Sequence, residues 1–61
     1  MKVIFWDKER ERYYPVPGVT QLQTGKAEFD CRIVNCWICH LFDGKIENYG
    51  QRRFIIERIE Q

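Results

Sequence analysis

An Asp43-Gly44 pair follows the short apolar run 36–42 (CWICHLF) and precedes a second short segment, 45–49 (KIENY). Seven residues are too few for a typical helix, and Asp-Gly in this setting is a strong signal for a two-residue hairpin turn. The chain must therefore reverse at residues 43 and 44, with strands on either side. This reversal lies in the stretch 27–49, which holds the longest apolar sequence and all three cysteines, so the rest of the chain has to pack around it. Counting outward from a two-residue turn sets Phe42 opposite Lys45, Leu41 opposite Ile46, His40 opposite Glu47, Cys39 opposite Asn48 and Ile38 opposite Tyr49. Side chains alternate across a strand, which assigns Ile38, His40, Phe42, Glu47 and Tyr49 to one face and Cys39, Leu41 and Ile46 to the other. A His40–Glu47 contact across the two strands follows from that register.

Two further β-rich segments open the chain. Residues 2–7 (KVIFWD) and 12–16 (RYYPV) flank the charged tetrapeptide Lys8-Glu9-Arg10-Glu11. A four-residue loop there sets Asp7 against Arg12, Trp6 against Tyr13 and Phe5 against Tyr14, pairing opposite charges and pairing rings. Pro15-Val16-Pro17-Gly18 ends the second strand, because proline cannot donate to a ladder and Pro-Gly favours a turn. A third strand is expected over 19–23, closed by a turn at 24–26. Residues 27–34 then alternate, Phe29, Cys31 and Ile33 against Glu28, Asp30 and Arg32, which reads as a half-exposed strand. Asn35 marks a bend, a bulge or a tight turn in the apolar region that follows. Residues 48–51 (NYGQ) read as a turn, and residues 52–60 (RRFIIERIE) as a strand, with a short helix as the competing reading.

Sixty-one residues form one domain spanning residues 1–61, with no repeat and no linker. A chain of this length buries only roughly 60% of its unfolded surface, so large side chains have to supply the core. The 15% aromatic content answers that need. Five or six short strands joined by tight turns predict an all-β fold: a small antiparallel barrel or sandwich, SH3-like or Sm-like in pattern. A β-sheet carrying a short C-terminal helix is the alternative. Self-association into a homo-oligomer is the most direct further source of buried surface.

Ten basic and nine acidic side chains leave a net charge of +1, too weak a field to point to nucleic acid or an acidic membrane. No apolar run approaches the length of a membrane span and no export signal is visible, so the expected location is the cytoplasm. An odd number of cysteines fits reduced thiols there better than a disulfide framework.

One motif has to be weighed as chemistry. Cys36-Trp37-Ile38-Cys39-His40 matches C-x-x-C-H, the haem attachment signature, but without the export signal and helical turn that attachment requires. If a metal site exists, it is a Cys₃His set of Cys31, Cys36, Cys39 and His40, although Cys36 and Cys39 point to opposite faces of a regular strand. A thioredoxin-type pair would need a following helix to lower a thiol pKa. The preferred reading makes Cys31 and either Cys36 or Cys39 small apolar core residues, with no cofactor expected. Thr24-Gly25-Lys26-Ala27 lacks the glycine and the hydroxyl of a phosphate loop. There is no serine and one histidine, so no catalytic constellation is expected and the chain does not read as an enzyme.

Trp6, Arg10, Arg12, Tyr13 and Tyr14 interleave rings with cations and are the candidate partner-binding residues. They lead to the expectation of a non-catalytic module that binds a protein through surface aromatics. Binding of single-stranded nucleic acid by a small β-barrel is the alternative, since stacking on rings beside cations is how such barrels hold it. A zinc-stabilised binding module is the third reading. The opening MKVIFWDKE, residues 1–9, resembles the start of various small bacteriophage and prophage proteins. That resemblance implies a mobile-element origin and carries over no active residue.

Overall fold

A computed structural model describes residues 1–61 as six strands with no helix. These are β1 (Lys2–Asp7), β2 (Arg12–Val16), β3 (Val19–Phe29), β4 (Arg32–Leu41), β5 (Ile46–Gly50) and β6 (Phe54–Glu60). They form two three-stranded antiparallel sheets, one in the order β2-β1-β6 and the other β3-β4-β5. The all-β expectation holds, and β6 replaces the alternative C-terminal helix. No ladder joins the two sheets into a closed ring.

The first hairpin has the expected register: Phe5 faces Tyr14, Trp6 faces Tyr13 and Asp7 faces Arg12. The expected turn at 24–26 does not form, because β3 runs straight through it to Phe29. Gly25 is an interior strand residue opposite Cys36, and a Cβ on it would meet Ile38 Cδ1 at 2.5 Å. The expected strand 27–34 is instead a hairpin. Its two turn residues, Asp30 and Cys31, both have positive φ, 48° and 63°, which is the backbone of a type I′ turn. Asn35 lies inside β4 opposite Lys26, without a bend, bulge or turn. Tyr49 and Gly50 belong to β5, so the turn expected at 48–51 falls at 51–53.

The reversal at Asp43-Gly44 occurs, but one residue out of the expected register. His40 faces Ile46, Cys39 faces Glu47, Ile38 faces Asn48 and Trp37 faces Tyr49. The cause is a three-residue loop. Gly44 N–H bonds Leu41 O at 2.9 Å and Leu41 N–H bonds Lys45 O at 2.8 Å, with Gly44 at φ +88°, a type I turn followed by a left-handed bulge residue. A slip of one residue exchanges the faces of β5 relative to β4, so Tyr49 turns to the same side as Trp37 and Cys39.

That side is the core. Val3, Phe5, Val16, Val19, Cys39 and Tyr49 form one buried cluster with contributions from both sheets, and Met1, Leu22, Trp37, Leu41, Phe54 and Ile56 pack around it. Phe5 lies 4.8 Å from Tyr49 between ring centroids and 5.8 Å from Phe54. Three polar links cross between the sheets: the Trp37 indole N–H donates to Phe54 O at 3.0 Å, Val19 N–H donates to Met1 O at 2.9 Å, and the Met1 ammonium donates to Val19 O at 2.8 Å. β3 and β4 outrun their neighbours. The β4–β5 ladder covers only Cys36 to His40, and Gln51 N–H to Asn35 O, at 3.0 Å, is the last bond on that side. Beyond it the two strands project as a ribbon toward the Asp30-Cys31 tip.

Candidate functional site

Cross-strand partners share a sheet face, so the register sorts the five candidate residues. Trp6 and Tyr13 share the outer face of the β2-β1-β6 sheet, edge to face, with ring centroids 4.9 Å apart. Ile55 on β6 lies opposite Trp6 on that same face. Tyr13 is 55% exposed and Ile55 46% exposed, and Ile4 beneath them is buried. Tyr14 belongs to the inner side, where its ring lies 5.7 Å from Tyr49 and 6.0 Å from Phe54. Arg12 is exposed opposite Asp7, and Arg10 sits in the β1–β2 loop. The structure thus brings Trp6 and Tyr13 together, adds Ile55, and sets Tyr14 and Arg12 on the other face. Ile55 was not singled out in the sequence; pairing 52–60 as a strand against β1 was the signal that leads to it.

Asp7 anchors the base of this hairpin. It is buried, and its carboxylate accepts two bonds from the Arg53 guanidinium, at 2.9 and 3.0 Å. Its Oδ1 also accepts the backbone N–H groups of Glu9 and Arg10, at 3.1 and 3.2 Å. The bidentate Arg53 bond does most to hold the Asp7 carboxyl down at about 2, against the burial that pushes it up, with the loop N–H bonds assisting. Arg53 in turn stacks over the Phe54 ring at 5.0 Å. Arg12 is opposite Asp7 in the ladder, yet the ion pair that forms is with Arg53, brought in by the turn before β6.

The residues of the C-x-x-C-H motif do not converge. Cys36 and Cys39 are both buried, but three positions apart on one strand they point to opposite faces. Only Cys39 joins the core cluster. Cys31, expected in the core, is exposed at the ribbon tip, because its place in the hairpin is a turn. His40 Nε2 lies 2.7 Å from the Gln23 side-chain oxygen rather than against Glu47, a consequence of the register slip. Glu47 instead accepts the Tyr49 hydroxyl. Burial, reinforced by Glu47, pushes the Cys39 thiol up to about 11, and the same two causes raise Tyr49. No group of three or more His, Cys, Asp or Glu side chains is arranged to hold a metal ion.

The largest concavity, about 410 Å³, lies at the base of the ribbon and is lined by Arg32, Ile33, Val34, Asn35, Gln51 and Arg52. It presents two cations and two amides, with no carboxylate, thiol or imidazole. No helix is long and apolar enough to cross a membrane. Fold and surface together define a small all-β chain of two three-stranded antiparallel sheets, with an aromatic pair on the first hairpin and a projecting ribbon. Comparison with protein-family models, with curated proteins and with solved structures gives no match.

Proposed function

We propose that this chain is a non-catalytic interaction module that binds a protein partner through the outer face of the β2-β1-β6 sheet. The observation that carries the reading is the half-buried Trp6 ring packed on exposed Tyr13, with exposed Ile55 alongside it. Large rings held rigidly on a ladder offer contact area at little conformational cost, and such residues dominate binding energy at interfaces. Arg10 supplies a cation at the rim, where charge steers encounter more than it adds affinity. The proposal takes the two sheets as the faces of a small, open sandwich related in pattern to SH3-like and Sm-like barrels. The expected location is the cytoplasm, where the free thiols of Cys31, Cys36 and Cys39 stay reduced.

Affinity capture from the native host with Trp6→Ala and Tyr13→Ala variants tests it. A protein retained by the native chain should be lost from the double variant, with far-UV circular dichroism unchanged. Each substitution is expected to weaken binding by about tenfold or more. Equal retention by both forms would refute the assignment of this face. Recovery of nuclease-sensitive material alone would favour the single-stranded nucleic-acid reading instead.

A further inference from the structure

We infer that the outer edge of β3 is a self-recognition edge, which pairs antiparallel with the β3 of a second copy about a two-fold axis at Ala27. The inference is independent of the aromatic-face reading. β3 is the longest strand in the molecule, and only one of its sides is paired. The type I′ turn at Asp30-Cys31 makes Phe29 and Arg32 the first bonded pair of the hairpin. Ladder alternation then sends the N–H and C=O groups of Lys26 and Glu28 outward.

Those are the groups a two-fold pairing at Ala27 would use. Opposed side chains in an antiparallel pair share a face, so a symmetric strand pair must centre on a residue. Centred on Ala27, Lys26 lies opposite Glu28 of the second copy and Glu28 opposite its Lys26. Each such pair exchanges two main-chain bonds. Gly25 then faces Phe29 of the second copy, whose ring would lie beside the Ile38 side chain that already covers Gly25, and two Ala27 methyl groups meet at the axis. A lysine on an exposed edge normally discourages pairing. Here it admits only a strand that presents an acid at the matching position.

The other edges are poorer candidates. β2 contains Pro15, which has no N–H to give, and β5 has five residues. Centring β6 on its middle residues opposes Glu57 to Glu57 or Arg58 to Arg58.

The test uses the whole chain carrying Cys31→Ser, which removes the exposed thiol. Ala27→Cys should form an intermolecular disulfide with oxidised glutathione, while Thr20→Cys, which faces no β3 residue of the second copy, should not. Lys26→Glu should raise the dimer dissociation constant by about tenfold in sedimentation equilibrium. The charge exchange Lys26→Glu with Glu28→Lys should restore it, with the circular dichroism of every variant unchanged. A monomer across the whole concentration series, equal cross-linking at positions 20 and 27, or failure of the charge exchange to restore association would each overturn the inference.

Discussion

Asp7 shows how one buried carboxylate can tie a hairpin to a distant turn. Arg53 is far along the sequence, yet it closes the bidentate bond that keeps the Asp7 carboxyl at about 2, below its ordinary 3.8. The folded value lies below the unfolded one, so the stabilisation is fully present above pH 3.8 and is lost as pH falls through about 2. Thermal melts should therefore steepen in their decline over that acid window. Asp7→Asn should flatten the decline and, because it leaves the guanidinium only its longer contact to Glu9 at 3.7 Å, lower the neutral-pH Tm by a few degrees, about 4–8 °C for each kcal/mol lost. A variant with native Tm and an unchanged acid profile would contradict this account. None of this was legible in the sequence, where the nearest opposite charge to Asp7 in the first hairpin is Arg12. Ladder position does not decide an ion pair when a second cation arrives with better geometry.

At the scale of the element, legibility followed how explicitly each turn announces itself. The β1–β2 register was readable because ring faces ring and charge faces charge only in one alignment, and that alignment formed. The β3–β4 hairpin was hidden because alternation runs unbroken through Asp30-Cys31 and no glycine marks the reversal, whereas Gly25 interrupts a strand that does not turn. Asp43-Gly44 located its reversal correctly. Its glycine is the bulge residue of a longer loop, so every β5 side chain took the opposite face from the one expected. The same comparison gives a prediction. Cys31 holds φ +63° without the freedom of glycine, so Cys31→Gly creates an Asp-Gly type I′ turn and should stabilise the fold by about 0.5–1 kcal/mol. Urea denaturation checks it: a midpoint unmoved or lowered would show that the turn is not strained.

The whole molecule rests on few residues. Eight apolar side chains are buried, and Phe5, fully enclosed against Tyr49 and Phe54, is the largest of them wholly removed from solvent. Phe5→Ala should cost about 3–5 kcal/mol, a loss comparable to the entire stability available to a domain of this size. The variant should lack the strand signature in far-UV circular dichroism at 25 °C, and Phe5→Leu should retain it. A folded Phe5→Ala would mean that the sheets do not depend on this shared centre. The all-β class was legible because the short apolar segments and turn signals leave little room for a helix, although two of the expected strands, 19–23 and 27–34, have other bounds. The division into two sheets was not, since it turns on which non-adjacent strands meet. β1 is the middle strand of its sheet, and one of its flanks is β6, whose Glu60 stands opposite Lys2. The β3-β4-β5 sheet assembles entirely from neighbours in sequence, whereas the second flank of β1 is filled only by a strand that lies beyond all of the other four. Closing that flank spans the longest loop in the molecule, so β1–β6 pairing is the contact most costly to form early, and β1 stands half-bare until the seven-residue β6 docks.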